Sequence, residues 1–539
     1  MKLSRTVRAF LGLASGVFLA LSFPNYHLPL LAWGAIALLI LACIDASVSD
    51  ALLAGFLHGL VFYPVCLPWI YVVMRQYGNV DPLPAAGILG LIGVTGGFHM
   101  MIFTASVSFV SRRRASLAFV LAPFIWVATE FIRTHLPIIS FPWNLSGYAA
   151  SGNLGFVQLT PLTGVFGLSL VIGAFNALLA WAIYTRTARA WKALGLAAAA
   201  LIVIAIVGPH LVPSQEPHYV AHLVQPNFPQ SDHYPSDWID KHAGELDELD
   251  SISVNAAQAR PGVVIWPETP APFTFQDPKF RTRAERVARE SAHYFLLGIV
   301  DWRLDAEHRW QATNSATLLD PTGQRIYTYD KIHLVPFGEY VPLRDWITFA
   351  GRLTADIADF TPGTKYEIGE LPGGRFGTFI CYEAIFGGEV REFADRGASL
   401  LVTISNDGWF GRSAAPEQHL MMARVRAVEN RRWLLRDTNN GFTVSVDPYG
   451  RIVAELPTDI RGQLDAPYDF RTGRTLYSIC GDWIAWLALF ASIGIVAAAA
   501  LRFPRPEMRR SNAAGKPFAT GKSGASSRHG KSKSQERQR

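Results

Sequence analysis

Three strand-like runs in this chain each end on a side chain able to take part in acyl transfer. Arg375-Phe-Gly-Thr-Phe-Ile-Cys381 ends on a thiol, Val263-Val-Ile-Trp-Pro267-Glu268 on a carboxylate, and Ile326-Tyr-Thr-Tyr-Asp330-Lys331 on an ammonium. A base, a cation and a thiol are the parts needed to make and break a thioester. Partial burial behind Val-Val-Ile-Trp-Pro would raise the pKa of Glu268, which suits a general base near neutral pH. An ammonium near a thiol lowers the thiol pKa and donates to a developing oxyanion. Tyr382-Glu383-Ala-Ile-Phe reads as the start of a helix, so the turn after Cys381 would offer backbone N–H groups and lower that pKa further.

Plainer readings fit each residue taken alone. Glu268 fits a helix cap or a partner for an Arg, Lys331 a surface lysine, and Cys381 an inert core cysteine. His333 fits either the base of a Cys–His pair or a hydrogen-bonded structural histidine. Glu339, set between Gly338 and Tyr340, fits a supporting or amine-binding carboxylate as well as a plain surface one.

The elements that must hold these groups belong to a chain of two unlike parts. Half of the 539 residues are apolar and 17% are charged. Seven apolar segments fall near 9–23, 28–44, 52–73, 84–110, 116–133, 161–185 and 191–212, with an eighth near 481–502. Each approaches the roughly 20 helical residues that cross a hydrocarbon core of about 30 Å. The class is a polytopic α-helical membrane bundle of about eight spans. Lys2, Arg5 and Arg8 precede the first segment as in a signal peptide, but Ser22-Phe-Pro24-Asn-Tyr-His27 lacks a small-x-small cleavage site, so it reads as a first span.

Basic residues in short loops set the orientation. Arg112-Arg113-Arg114, the Arg186–Lys192 turn, the N-terminal cluster and the basic tail mark one side as cytoplasmic, with both termini on it. Seven spans then put 213–480 outside, at the periplasmic face of a bacterial inner membrane. The expected division is a bundle over 1–212, a catalytic domain over 213–480, an eighth span over 481–502 and a disordered tail over 503–539. The formal charge of +6 misleads about partners: from Arg502 onward eleven Lys/Arg face two Glu, which leaves the rest of the chain at −3. The tail suits anionic lipid better than nucleic acid. Four cysteines without Cys-x-x-Cys or zinc spacing leave no metal site to expect.

Between the seventh and eighth segments, strand patterns recur at 218–227, 263–267, 294–301, 313–319, 325–330, 376–382, 399–405 and within 432–456. Helical patterns fall at 236–258, 279–292, 384–396 and 415–431. Asp320-Pro-Thr-Gly323 and Asp447-Pro-Tyr-Gly450 read as type I-based turns closing hairpins. Alternation of these kinds predicts an α/β domain with mixed sheets. The aromatic segment Pro137–Tyr148 reads as an interfacial belt, with a substrate-contacting loop as the alternative.

Taken in order, the three motifs resemble a known family. Glu268 after its strand, Tyr329-Asp-Lys331-Ile-His-Leu-Val-Pro-Phe-Gly-Glu339, and Ile380-Cys381-Tyr-Glu383 are similar to the Glu-Lys-Cys triad of the nitrilase (carbon–nitrogen hydrolase) superfamily. With the spans around it, the whole chain up to about Arg510 resembles the bacterial apolipoprotein N-acyltransferase family. Val224-Gln-Pro-Asn227, Ser405-Asn-Asp-Gly-Trp-Phe-Gly411 and Gln418-His419…Arg424…Arg426-Ala427-Glu429 match further family motifs.

The resemblance implies an α-β-β-α sandwich with Glu268, Lys331 and Cys381 as the catalytic residues. It implies transfer of an sn-1 acyl chain from a phospholipid, commonly phosphatidylethanolamine, to the α-amine of a diacylglyceryl-modified apolipoprotein. No cofactor is implied. Glu339, Tyr382 and Glu383 become supporting or substrate-binding residues. Tyr234 or Trp238 stands where the family often has a Trp near the site mouth. Phe337, Phe360, Trp409 and Phe410 are candidates for a greasy rim at the membrane. The alternative is a membrane-tethered amidase acting on a soluble amide with water as the second nucleophile.

Overall fold

The computed structural model describes residues 3–136, 140–231, 234–305, 307–342 and 359–502. The basic tail over 503–539 and Pro137–Ile139 therefore lie outside the described residues.

The first two hundred residues form a bundle of packed helices. Among the described residues, five helices are long and apolar enough to cross a membrane: Val48–Cys66, Pro82–Ser111, Ala115–His135, Val165–Thr185 and Ala188–Leu211. Pro29–Cys43 and Trp483–Ala499 are apolar but shorter, and Arg5–Leu21 packs beside the third helix. Start signals are local: Ser4, Ser47 and Thr187 accept a backbone N–H with their side chains, and Pro82 opens the longest helix. Small residues bring the axes close. A Cβ on Gly12 would stand 2.3 Å from the Ala54 carbonyl oxygen, and one on Gly59 2.2 Å from that of Gly96. Helices in lipid associate by such close van der Waals approach. The helix Ala188–Val207 turns Leu196, Ile202, Val203 and Ile206 outward. A surface of that kind suits hydrocarbon rather than water.

One expected span is shorter than the sequence suggested. The run 52–73 divides into the helix Val48–Cys66 and a separate helix Trp69–Gln76. Pro68 disfavours helical geometry at the residue before it, and Leu67 sits at φ −121°, ψ 40°. The break turns Trp69–Gln76 toward the α/β unit.

Among the described residues, twelve strands make two six-stranded sheets. They are β1 Tyr219–Gln225, β2 Val263–Ile265, β3 Phe295–Leu304, β4 Trp310–Leu319, β5 Arg325–Asp330, β6 Ile368–Leu371, β7 Gly374–Ile380, β8 Leu400–Ser405, β9 Trp433–Thr438, β10 Thr443–Val446, β11 Ile452–Leu456 and β12 Gly462–Tyr468. The orders are β12-β1-β2-β3-β4-β5 and β11-β10-β9-β8-β7-β6. β1–β2–β3 and β7–β8–β9 run parallel, and the outer pairs are antiparallel. Both Pro–Gly turns close hairpins as expected, β4–β5 and β10–β11, with Gly323 at φ 83° and Gly450 at φ 94°.

Alternation along the central strands explains the layers. Val263 and Ile265 point between the sheets with Leu401, Leu434 and Val444. Val264 points the other way, into a core with Leu246 and Leu249 of the helix Ala243–Ala259 and Ala284 and Val287 of the helix Pro278–Ser291. Helices Gly387–Asp395 and Ala415–Asn430 cover the second sheet, which completes a helix–sheet–sheet–helix sandwich. Ala415–Asn430 is buried on two sides. Leu420, Ala423 and Ala427 face the sheet core, while Met422, Val425 and Val428 share a core with the bundle.

Candidate active site

The three sequence motifs end at one place because β2, β5 and β7 all deliver their C-terminal ends there. Glu268 follows β2, Lys331 follows β5 and Cys381 follows β7; they are 4%, 1% and 8% exposed. Lys331 Nζ donates to Glu268 Oε1 at 3.1 Å and to Glu339 Oε1 at 2.8 Å. Asn314 Nδ2, on β4, bonds the same two oxygens at 2.7 Å each. The second oxygen of Glu268 accepts the Asn406 backbone N–H at 2.9 Å, and that of Glu339 the Val335 N–H at 2.8 Å. Two carboxylates thus share one buried ammonium, and every bond in the set is charge-assisted.

Electrostatics follow from this packing. Burial pulls the Lys331 pKa down, yet the Glu268 and Glu339 carboxylates hold it well above the ordinary lysine value. Lys331 is a fixed cation at any physiological pH. Burial pushes the Cys381 thiol well up, and Glu268 adds to this more than Lys331 offsets it. That corrects the sequence expectation of a lowered thiol pKa. The turn is a single 3-10 turn, Cys381–Ile385, whose field does not outweigh desolvation. The resting group is a thiol, so any chemistry at its sulfur has to begin with removal of that proton. Cys381 itself sits at φ 49°, left-handed for a residue with a Cβ.

Glu383 is a clamp. Its Oε1 accepts the Tyr329 hydroxyl at 2.7 Å and the N–H groups of Ile332 and His333 at 2.7 and 3.1 Å; its Oε2 accepts the Ile380 N–H at 2.6 Å. One side chain therefore ties the Lys331 loop to the Cys381 turn. Burial raises its pKa to about 7 even though four donors favour the charge. A carboxyl group raised on folding stabilises most below its unfolded value, and that contribution fades as pH rises through about 7. Glu383→Gln places an NH2 against one of these donors. It is expected to cost about 1–3 kcal/mol and to remove this part of the pH dependence, as read by thermal unfolding of both proteins between pH 4.5 and 8.

The remaining expected residues are placed variously. Tyr382 is buried, its hydroxyl 3.4 Å from the Ser140 carbonyl, and it joins Ile385 and Phe386 in the core shared with the bundle. His333 stacks on Phe386 and bonds Glu389, so it follows the structural reading. Trp238 lies in a cluster with Phe228, Phe273 and His242, and half-buried Tyr234 packs on it edge-on. Phe337 and Trp409 are 57% and 38% exposed. Phe360 is half-buried, with its N–H on the Glu339 carbonyl. Phe410 packs against Trp69, Trp143 and His419, so it joins the bundle rather than an open rim. The segment Phe141–Tyr148 likewise is no interfacial belt, because Trp143, Asn144 and Tyr148 are each about 1% exposed.

Sequence reasoning passed over Asn314 and gave no role to Asn406. The signal for Asn314 was the polar run Thr313-Asn314-Ser315 inside an apolar strand, which a buried site requires.

Two family descriptions match the chain: "Apolipoprotein N-acyltransferase N-terminal domain" over residues 15–178 and "Carbon-nitrogen hydrolase" over residues 224–476. Among curated relatives, the apolipoprotein N-acyltransferase of Geobacter metallireducens is 35% identical over 501 residues, covering 90% of this chain and 94% of that protein. The chain belongs to the apolipoprotein N-acyltransferase family. The enzyme of that name from Methylococcus capsulatus is 32% identical over 493 residues, covering 88% of this chain and 93% of its own. Among solved structures, an amidase from Nesterenkonia sp. is similar at 21% identity and a TM-score of 0.34, over 48% of this chain and 93% of that one. Membership in the apolipoprotein N-acyltransferase family makes this a polytopic membrane enzyme with a carbon–nitrogen hydrolase-type domain and an N-acyltransferase function in general terms.

Proposed function

We propose that the protein moves an acyl chain from the sn-1 position of a phospholipid to the α-amine of a lipoprotein's N-terminal diacylglyceryl-cysteine, through a thioester on Cys381. The observation that carries this reading is the wall behind the nucleophile. Tyr382, Ile385 and Phe386 of the Cys381 turn share one hydrophobic core with the membrane bundle. A nucleophile built against a bundle suits two substrates that are themselves anchored in lipid.

In the first half-reaction Cys381 Sγ attacks the ester carbonyl and Glu268 takes the thiol proton. Lys331 Nζ and the Tyr382 N–H hold the oxyanion. The carbon–oxygen bond to glycerol breaks, the proton passes from Glu268 to the leaving alkoxide, and a lysophospholipid departs. In the second, the lipoprotein amine attacks the thioester, Glu268 accepts its proton, the carbon–sulfur bond breaks, and the proton passes from Glu268 to Sγ to restore the thiol. Asn314 and Glu339 keep Lys331 and Glu268 in register throughout.

Eight spans with both termini cytoplasmic and the α/β unit periplasmic complete the reading. The bundle would cover 1–212, the catalytic domain 213–480, the last span 481–502 and the tail 503–539. Its support is the placement of charge: Arg112–Arg114 and Arg186 lie at helix ends opposite those that meet the α/β unit at Cys66, Trp143 and Val165. The test is incubation in vesicles of phosphatidylethanolamine with a synthetic diacylglyceryl-cysteinyl peptide. Acylated peptide and lysophospholipid should appear in equal amounts. Ammonia released from small amides, with no acylated peptide, would point to an amidase instead.

A further inference from the structure

Behind the Cys381 turn lies a buried polar set that the acyl-transfer scheme leaves unused. Ser405, Asp407, His419 and Arg436 are each no more than 2% exposed. Arg436 Nη2 donates to Asp407 Oδ1 and Oδ2 at 2.8 and 2.7 Å and lies 3.2 Å from His419 Nδ1. Ser405 Oγ lies 2.9 Å from Asp407 Oδ1, while Asp407 stands 3.6 Å from His419 Nδ1, too far for a hydrogen bond. A guanidinium has donors only, so Nδ1 must accept and the ring proton sits on Nε2. Burial and the adjacent guanidinium keep the imidazole below its ordinary pKa, and hence neutral.

Nε2 is 2.9 Å from the Cys381 carbonyl oxygen. That carbonyl and the Tyr382 N–H belong to one trans peptide unit and point in opposite directions. Whatever fixes the first aims the second. It also holds Cys381 in its left-handed conformation at φ 49°. His419 is in turn braced by the bundle. The Trp143 ring lies 17° from parallel to it, with centroids 5.9 Å apart. The neighbouring Gln418 accepts Trp143 Nε1 at 2.7 Å and donates to the Cys66 and Pro24 carbonyls at 3.1 and 2.9 Å.

We propose that His419 is a positioning residue for acyl transfer: by holding the Cys381 carbonyl it aims the Tyr382 N–H at the oxyanion, and the membrane bundle holds His419 in place. The bundle then sets the catalytic geometry as well as anchoring the enzyme. This rests on the reading of Cys381 as the acyl carrier, and the test separates the two.

Two reactions of the same thiol discriminate. Thioester formation from a labelled phospholipid develops an oxyanion, whereas alkylation by iodoacetamide does not. In the full-length protein, His419→Leu is expected to slow thioester formation about 100-fold, the scale of losing one oxyanion donor. Alkylation, read at the Cys381 peptide by mass, stays at the wild-type rate. His419→Gln returns an N–H at similar reach and should restore thioester formation to within about ten-fold of wild type. Wild-type thioester formation in His419→Leu, or acylation and alkylation falling together, would overturn the proposal. If His419→Leu does not fold, His419→Gln is compared with His419→Asn, whose amide is one methylene shorter. Gln should be the faster, and equal rates would overturn the assignment. A wild-type protein forming no thioester would instead remove the Cys381 reading itself.

Discussion

Lys331→Met should lose acyl transfer and a large part of the protein's stability together. Lys331 Nζ is the ammonium placed between Glu268 and Glu339, and all three groups are at least largely buried. Without it two carboxylates face each other, supported among the described residues by Asn314 and two backbone N–H groups. Breaking a buried ion pair by removing one partner costs about 3–5 kcal/mol, because a charge stays buried without its counterpart. Under the proposed mechanism the oxyanion also loses its cationic donor, which is worth about 10²–10³ in rate. The folded-state pKa of Lys331 is raised, so its stabilising contribution is fully present at neutral pH and is lost only as pH rises beyond the ordinary lysine range. The loss of thermal stability in Lys331→Met should therefore be as large at pH 9 as at pH 7. An unfolding temperature and thioester rate equal to wild type would contradict the arrangement.

Glu268→Gln is the second large effect, and it has a signature of its own. The carboxylate accepts from Lys331 and Asn314 on one oxygen and from Asn406 on the other. A Gln must turn its NH2 toward one of these donors, so the site loosens whichever way the amide lies. More directly, Gln takes no proton, and loss of a positioned base slows proton transfer by about 10²–10⁴. The Glu268 charge also holds the Cys381 thiol up. Neutralising it lets the thiol ionise at lower pH. Acyl transfer should thus collapse while the pH profile of iodoacetamide alkylation at Cys381 moves to lower pH. A Glu268→Gln protein that transfers acyl chains at the wild-type rate would exclude Glu268 as the base.

Glu268, Lys331 and Cys381 stand out in the sequence because each ends an apolar run, and hydrophobic strands announce themselves by composition. The same holds for both hairpins, where Pro and Gly occupy positions that the turn geometry demands. Strands β6 and β12 escaped notice for the opposite reason. β6 is a four-residue edge strand, and β12 reads Gly-Gln-Leu-Asp-Ala-Pro-Tyr, with half-exposed residues and no clear apolar face. β12 exists because β1 offers it an open edge, and that pairing joins Tyr219 to Tyr468 across most of the domain.

The groups that tune the site were less legible than those that form it. Asn406 reaches Glu268 through its backbone N–H, and any residue type could supply that bond. His419 belongs to a helix that reads as one more half-buried segment, and only the fold brings its Nε2 to the Cys381 carbonyl. The thiol pKa was misjudged because sequence shows the nearby Lys but not the depth of burial, and burial is the larger effect here. The break at Pro68 was visible as a proline, yet hydropathy ran straight through it.

In the proposed reaction Cys381 carries the acyl chain between two lipid substrates. Incubating the protein in vesicles of acyl-labelled phosphatidylethanolamine with no acceptor isolates that intermediate. Label is expected on the protein, located on the Cys381 peptide, released by neutral hydroxylamine and absent from Cys381→Ala. Label that resists hydroxylamine, or that persists in Cys381→Ala, would contradict it.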